Sequence, residues 1–354
     1  MRLGIIGLPQ SGKTTIFNAL TRGNQPLTTS GGRIDIHTGV VDVPDPRVDR
    51  LSEMFKPKKT IRAKVTYADI AGLEGSKAAI SGQLLNQLTQ MDGLLHVVRC
   101  FEDASVPHPS GTINPARDIA SMDAELLIND LITVERKLER LAEERKKGNG
   151  RERGLIERET VLFERFKEAL SAEKPLREVE ISAEEEKVLA GFGFLTRKPM
   201  LVLLNLAEGQ PAPDLQYGGA GCGLAALQGK LEMDLAQLPP EEVETFMQEY
   251  GIQELGLNRV ISLSYDLLGL MSFFTVGADE VRAWTLRRDA TAFEAAGAIH
   301  TDLQKGFIRA EVVRYDELLA LGGLNEAKAK GRLRLEGKEY VVQDGEIVHI
   351  RFNI

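Results

Sequence analysis

Eight residues near the start of the chain, Gly7-Leu8-Pro9-Gln10-Ser11-Gly12-Lys13-Thr14, constrain the fold more than any other feature. They fit G-x-x-x-x-G-K-[ST] and stand between an apolar run ending in Ile5-Ile6 and a helical run that begins near Lys13. A strand, a Gly-rich turn and a helix in that order surround an anion with backbone N–H groups and the positive end of a helix. A phosphate cradle at the edge of an α/β sheet is therefore predicted. In this reading Pro9, Gln10, Ser11, Gly12, Lys13, Thr14 and Thr15 line a nucleotide. Lys13 serves the β- and γ-phosphate oxygens catalytically, and Thr14 turns its hydroxyl to Mg²⁺.

Further apolar runs at 61–69, 93–99 and 200–205 alternate with helical stretches, the pattern of a largely parallel sheet covered on both faces. Asp69-Ile70-Ala71-Gly72 closes the run that begins near Ile61. This places Asp69 at the carboxyl edge as a second metal-side group and offers the Gly72 N–H to a γ-phosphate. Leu73 stands where many GTPases carry a water-orienting Gln, and Leu cannot hydrogen-bond a nucleophile, so slow or assisted hydrolysis is expected. Asn205-Leu206-Ala207-Glu208 follows the last run where guanine-specific proteins carry Asn-Lys-x-Asp. With Leu206 for Lys and the longer Glu208 for Asp, the geometry matched to the guanine donors is lost, and Asn205, Leu206 and Glu208 read as an altered base site. A plain polar turn is the alternative.

Between residues 99 and 200 the period changes. Leu127, Leu131, Val134, Leu138 and Leu141 form a coiled-coil seam, a polar tip from Lys146 to Arg153 interrupts it, and Ile156, Phe163, Phe166 and Leu170 form a return stripe. An antiparallel helical hairpin inserted into the α/β domain is predicted. From about 275 short alternating runs with little helix predict a small β-rich domain, and Asp344-Gly345 reads as a two-residue hairpin turn. The expected domains are 1–120 with 199–274 for the nucleotide, 121–198 for the hairpin and 275–354 for the terminal module.

Composition narrows the setting. The net charge of -8 argues against indiscriminate nucleic-acid binding, and two cysteines, Cys100 and Cys222, are too few for a disulfide framework. With no apolar run near the roughly 20 residues that span a bilayer, a cytoplasmic protein with no membrane and no specific DNA partner is expected, as a monomer. Basic residues including Arg332 and Arg334 crowd the last 75 residues or so and are candidates for RNA contact; a solvated face balanced by acids is the alternative.

The chain as a whole resembles the Obg-like ATPases, the YchF-type branch of the Obg-related P-loop family. The likeness is carried by Gly39-Val40-Val41 with Val43-Pro44-Asp45-Pro46-Arg47, Asp69-Ile70-Ala71-Gly72-Leu73, His96 to Glu102 and Gly256-Leu257-Asn258-Arg259. It continues through Glu280 to Thr285, Ile299-His300-Thr301-Asp302, Lys305 to Val312 and Leu335-Glu336-Gly337-Lys338. The resemblance implies a Ras-like P-loop NTPase domain with an inserted α-helical coiled-coil hairpin and a C-terminal β-grasp module of the TGS type. It also implies preference for ATP over GTP with Mg²⁺, hydrolysis without the usual Gln, and association with the ribosome or its RNA. His108 matches a loop histidine that the family assigns to hydrolysis, so the resemblance implies a catalytic set of Lys13, Gly72 and His108. Two segments depart from the family pattern: Arg33 stands where a Thr is usual, with Thr28, Thr29 and Ser30 nearby, and residues 74–82 hold fewer glycines. A GTPase, or an RNA-binding scaffold with negligible turnover, are the competing readings.

Overall fold

The computed structural model describes residues 1–25, 36–70, 82–147, 152–250, 252 and 254–353. In chain order the elements begin with β1 (Arg2–Ile6), α1 (Lys13–Thr21), β2 (Ile36–Asp42), α2 (Pro46–Phe55), β3 (Lys59–Ile61), β4 (Lys64–Ile70), α3 (Gly82–Thr89) and β5 (Gly93–Arg99). Next come α4 (Pro115–Lys147), α5 (Arg153–Ser171), α6 (Ala183–Leu189), β6 (Met200–Asn205), β7 (Cys222–Leu227), α7 (Gly229–Ala236), α8 (Pro240–Glu249) and α9 (Gly256–Leu267). The chain closes with β8 (Leu270–Val276), β9 (Glu280–Arg287), α10 (Ala292–Ile299), α11 (Thr301–Lys305), β10 (Phe307–Val313), α12 (Tyr315–Leu321), α13 (Leu324–Ala329), β11 (Arg334–Glu336) and β12 (Ile347–Phe352). Two compact units result: 1–39 with 66–260, and 40–65 with 261–354.

The first unit is built on a sheet of order β2-β4-β1-β5-β6-β7. β1 runs parallel to β4 and β5, and β5, β6 and β7 continue in parallel. Every residue of β5 and β6 is buried, the signature of central parallel strands covered on both faces. Between them the chain leaves the sheet for α4 and α5. Val134 of α4 and Phe163, Phe166 and Leu170 of α5 share one core with Phe194, against which Leu127, Leu131 and Leu138 pack, and Leu141 and Ile156 are buried as well.

Asp130 fastens α4 to the segment that leads back into β6. Its Oδ1 accepts the Leu195 N–H at 2.9 Å, and its Oδ2 accepts the Thr196 N–H at 2.7 Å and the Thr196 hydroxyl at 2.6 Å, all in a buried setting. Asp130→Ala would strand two amide donors away from water. We expect a loss of about 3 kcal/mol of local stability, read as faster hydrogen exchange at the amides of 195 and 196; unchanged protection there would refute the clamp.

The second unit is a sheet of order β11-β10-β12-β8-β9-β3. Its core gathers Phe273, Ala292, Ala295, Ala296, Phe307 and Val348. Four expectations are corrected here. The apolar run at 61–69 is two strands, because the chain breaks pairing between β3 and β4; β3 pairs in parallel with β9. That pairing, with Arg47 stacked 5.2 Å over Phe274 and 2.8 Å from Asp344, groups residues 40–65 with the C-terminal strands and not with the nucleotide-binding part. The terminal region also carries four helices where little helix was expected. α10, for example, is started by a capping box in which Thr291 and Glu294 each satisfy the other's backbone N–H.

The fourth correction concerns Asp344-Gly345. Only Gly345 takes a positive φ, 82°, and the chain before it makes a single bridge from Val341 to Thr291 in place of a strand. Asp344 spends its carboxylate on the Ser272 N–H and on Arg47, and a Cβ on Gly345 would stand 2.6 Å from the Arg47 Nη1. The turn seats an arginine and does not close a two-residue hairpin.

Candidate nucleotide site

The loop after β1 turns on residues that tolerate left-handed backbone. Gly7, Gln10 and Gly12 have φ of 151°, 62° and 94°. A Cβ on Gly7 would lie 2.3 Å from the Val97 carbonyl, and one on Gly12 would lie 2.2 Å from Asn205 Nδ2. Gly12 caps α1 without a side chain to give, and no acidic residue occupies the first turn, so the N–H groups of that turn are left for an anion. Pro9 and Thr15 are half-buried on this loop and first turn, and Ser11 is buried. Lys13 folds back over the loop, its Nζ donating to the carbonyls of Gly7 at 3.1 Å and Leu8 at 2.9 Å.

Thr14 and Asp69 meet as the sequence predicts: the Thr14 hydroxyl donates to Asp69 Oδ2 at 2.8 Å. Burial pushes the Asp69 carboxyl up from its ordinary value, opposed by the Thr14 hydrogen bond and then by the charges of Lys13 and His37. The other oxygen, Oδ1, is buried with no hydrogen-bond partner among the described residues. That orphaned acceptor, beside a hydroxyl whose proton is already committed to Asp69, fits the second shell of a hard divalent cation. His96, on the neighbouring β5, is fully buried, and burial together with the Lys13 charge holds its pKa down to about 3. It is a neutral core residue.

Asn205 braces the phosphate loop. Its Nδ2 donates to the Ser11 carbonyl at 3.0 Å, and its Oδ1 accepts the Gly229 N–H at 3.1 Å. It thus ties the phosphate loop to the start of α7. Leu206, expected in the base site, turns its side chain into an apolar cluster with Val98, Cys100 and Leu204, because β6 continues its buried alternation one residue past the strand. Glu208 is exposed on the following loop. Two glutamines brace that loop, and no sequence pattern had marked them. Gln210 accepts the Ala207 N–H and donates to the Cys100 carbonyl, both at 2.8 Å, while Gln228 accepts the Gly209 N–H at 3.2 Å.

His108 is buried in the loop before α4. Its Nδ1 accepts the Ser110 N–H at 3.1 Å, and its Nε2 stands 3.1 Å from Asp118, which Arg117 also engages at 2.9 Å. One ring nitrogen faces its own loop and the other the first turn of α4. Arg99 shapes the same loop through the carbonyls of Phe101 at 3.0 Å and Val106 at 2.8 Å. Gly72, Leu73, Arg33, Thr28, Thr29 and Ser30 lie outside the described residues, as does the hairpin tip from 148 to 151. Of the C-terminal cations, Arg288, Arg332 and Arg334 each lie within 3.6 Å of a carboxylate, so part of the predicted basic surface is balanced.

Comparisons with known proteins agree with this geometry. Residues 2–137 match a family described as 50S ribosome-binding GTPase, and residues 270–353 match YchF-GTPase_C, described as of unknown function. The chain is 40% identical to the ribosome-binding ATPase YchF of Bacillus subtilis, over 99% of both chains. It is equally identical to that of Haemophilus influenzae, over 100% of this chain and 99% of the other. The solved structure of the Schizosaccharomyces pombe YchF GTPase superposes with a TM-score of 0.87 at 32% identity, covering 99% of this chain and 97% of that one. Among the described residues no helix is long and apolar enough to cross a membrane.

Proposed function

The chain belongs to the YchF family of P-loop nucleotide hydrolases, and from that premise we propose that it is an ATP-driven switch that docks on the ribosome in the cytoplasm. The observation that carries the reading is the Thr14–Asp69 pair beside an uncapped helix start. A triphosphate seats on the loop from Pro9 to Thr15, with its charge met by the first-turn N–H groups and by Lys13. Magnesium, when bound, neutralises charge developing between the β- and γ-phosphates. Thr14 would hold it through the hydroxyl lone pair left free by Asp69, and Asp69 would hold its water. The Gly72 N–H serves the γ-phosphate, and His108 acts through the loop it braces. The proposed division keeps a nucleotide domain, an inserted hairpin at 121–198 and a TGS-type terminal module. Nucleotide exchange then biases how these surfaces meet ribosomal RNA.

Base choice rests on Glu208, since Asn205 spends one hydrogen bond on the phosphate loop and another on the start of α7, and Leu206 is buried. Calorimetric titration of the nucleotide-free chain with ATP and GTP in Mg²⁺ tests this. We expect ATP to bind at least about tenfold tighter, and Glu208→Ala to erode the difference by roughly 1 kcal/mol, the worth of one or two hydrogen bonds. Tighter binding of GTP would replace this reading with that of a GTPase.

A further inference from the structure

We propose that His37 is a positioning residue of the metal-side half of this site, holding the Asp69 carboxylate beside Thr14 from across the strand ladder. The inference rests on the reading that Thr14 and Asp69 serve magnesium. β2 and β4 are neighbours in the sheet. The Val43 N–H donates to the Ala63 carbonyl at 2.7 Å, and Asp42 lies 3.2 Å from Lys64, so the two strands run antiparallel in a defined register. Following that register towards the phosphate loop, Ile36 comes opposite Ile70 and His37 opposite Asp69.

Packing supports the same alignment independently. Ile36 packs on the apolar cluster that contains Ala68 and Ile70. Side chains alternate along a strand, so His37 and Asp69 share the other face, and directly opposed residues hold their Cβ atoms about 5 Å apart. That face belongs to α1: a Cβ on Gly39, two residues beyond His37, would lie 2.3 Å from the Thr21 side chain. The half-buried imidazole therefore stands on the α1 side of the sheet with the carboxylate that Thr14 contacts.

Chemically, the carboxylate needs such a neighbour. Thr14 fixes one oxygen, and the other is buried with no hydrogen-bond partner among the described residues. A flanking ring limits rotation of the carboxylate and offers an N–H to it or to a metal-bound water. Outer-shell partners of this kind typically change metal affinity by about 10- to 100-fold when removed.

The test is a magnesium titration of fluorescent ATP-analogue binding, with the full chain, for the parent, His37→Ala, His37→Asn and His37→Gln. The last two keep an N–H at the reach of one or the other ring nitrogen. The expected result is a magnesium midpoint raised about 10- to 100-fold in His37→Ala and largely restored in at least one amide variant, with the thermal unfolding midpoint of the nucleotide-free chain unchanged. A parent whose binding ignores magnesium overturns the metal reading and the role of His37 together. A parent that responds, with His37→Ala responding at the same concentration, overturns the role of His37 alone. Should His37→Ala fail to fold, folded amide variants whose midpoints are both shifted as far as removal would shift them overturn the N–H role, and restored midpoints support it.

Discussion

Gly12→Ala is expected to lower nucleotide affinity by about a thousandfold or more while the second unit stays folded. Two costs combine. Gly12 holds φ at 94°, where an L side chain strains the backbone by about 1–2 kcal/mol. The new Cβ would also stand 2.2 Å from Asn205 Nδ2, so Asn205 must move and release the Ser11 carbonyl and the Gly229 N–H, buried groups worth about 1–3 kcal/mol each. Together these approach or exceed the roughly 4 kcal/mol that a thousandfold change requires. Calorimetry with ATP measures the loss, and a double-mutant cycle locates its cause. In an Asn205→Ala background the further cost of Gly12→Ala should shrink by about 1 kcal/mol or more, because the clashing amide is gone. Full additivity would place the damage elsewhere.

Lys13→Ala is expected to cut the rate of phosphate release at saturating nucleotide by about 10²–10³, the usual worth of one preorganised charge on a developing anion. The lysine is held ready: its Nζ sits on the Gly7 and Leu8 carbonyls, so its charge is poised at the mouth of the loop before any ligand arrives. Because the ammonium meets charge that grows as the bond to the leaving phosphate breaks, the rate should fall further than the affinity. Single-turnover phosphate release separates the two. A variant with parental turnover and weakened binding would show that Lys13 serves the ground state only, and one unchanged in both would remove it from the site.

Much of this site could be read along the chain because its chemistry is local. The phosphate loop needs glycine where φ is positive, a lysine and a hydroxyl at fixed spacing, and the start of a helix, all within eight residues. The return stripe of Phe163 and Phe166 was equally legible, since a helix repeats its buried face at a fixed period. Asp69 was placed by a rule of the same kind, the carboxyl end of a parallel strand beside the loop.

What the residues determined alone was therefore whatever a short stretch must satisfy by itself: the cradle, the helical seam and the alternation of central strands. Tertiary structure decided the partners. Asn205 became a brace for the phosphate loop because β6 ends level with Ser11, 194 positions away in the chain. Asp344 gave up a hairpin turn because Arg47 and the Ser272 N–H each take one oxygen of its carboxylate. Residues 40–65 grouped with the C-terminal strands because β3 found its ladder partner in β9. In each case the deciding hydrogen bond joins groups that no sequence period relates. Only closure of the fold removes these polar groups from water and makes the choice of partner worth several kilocalories.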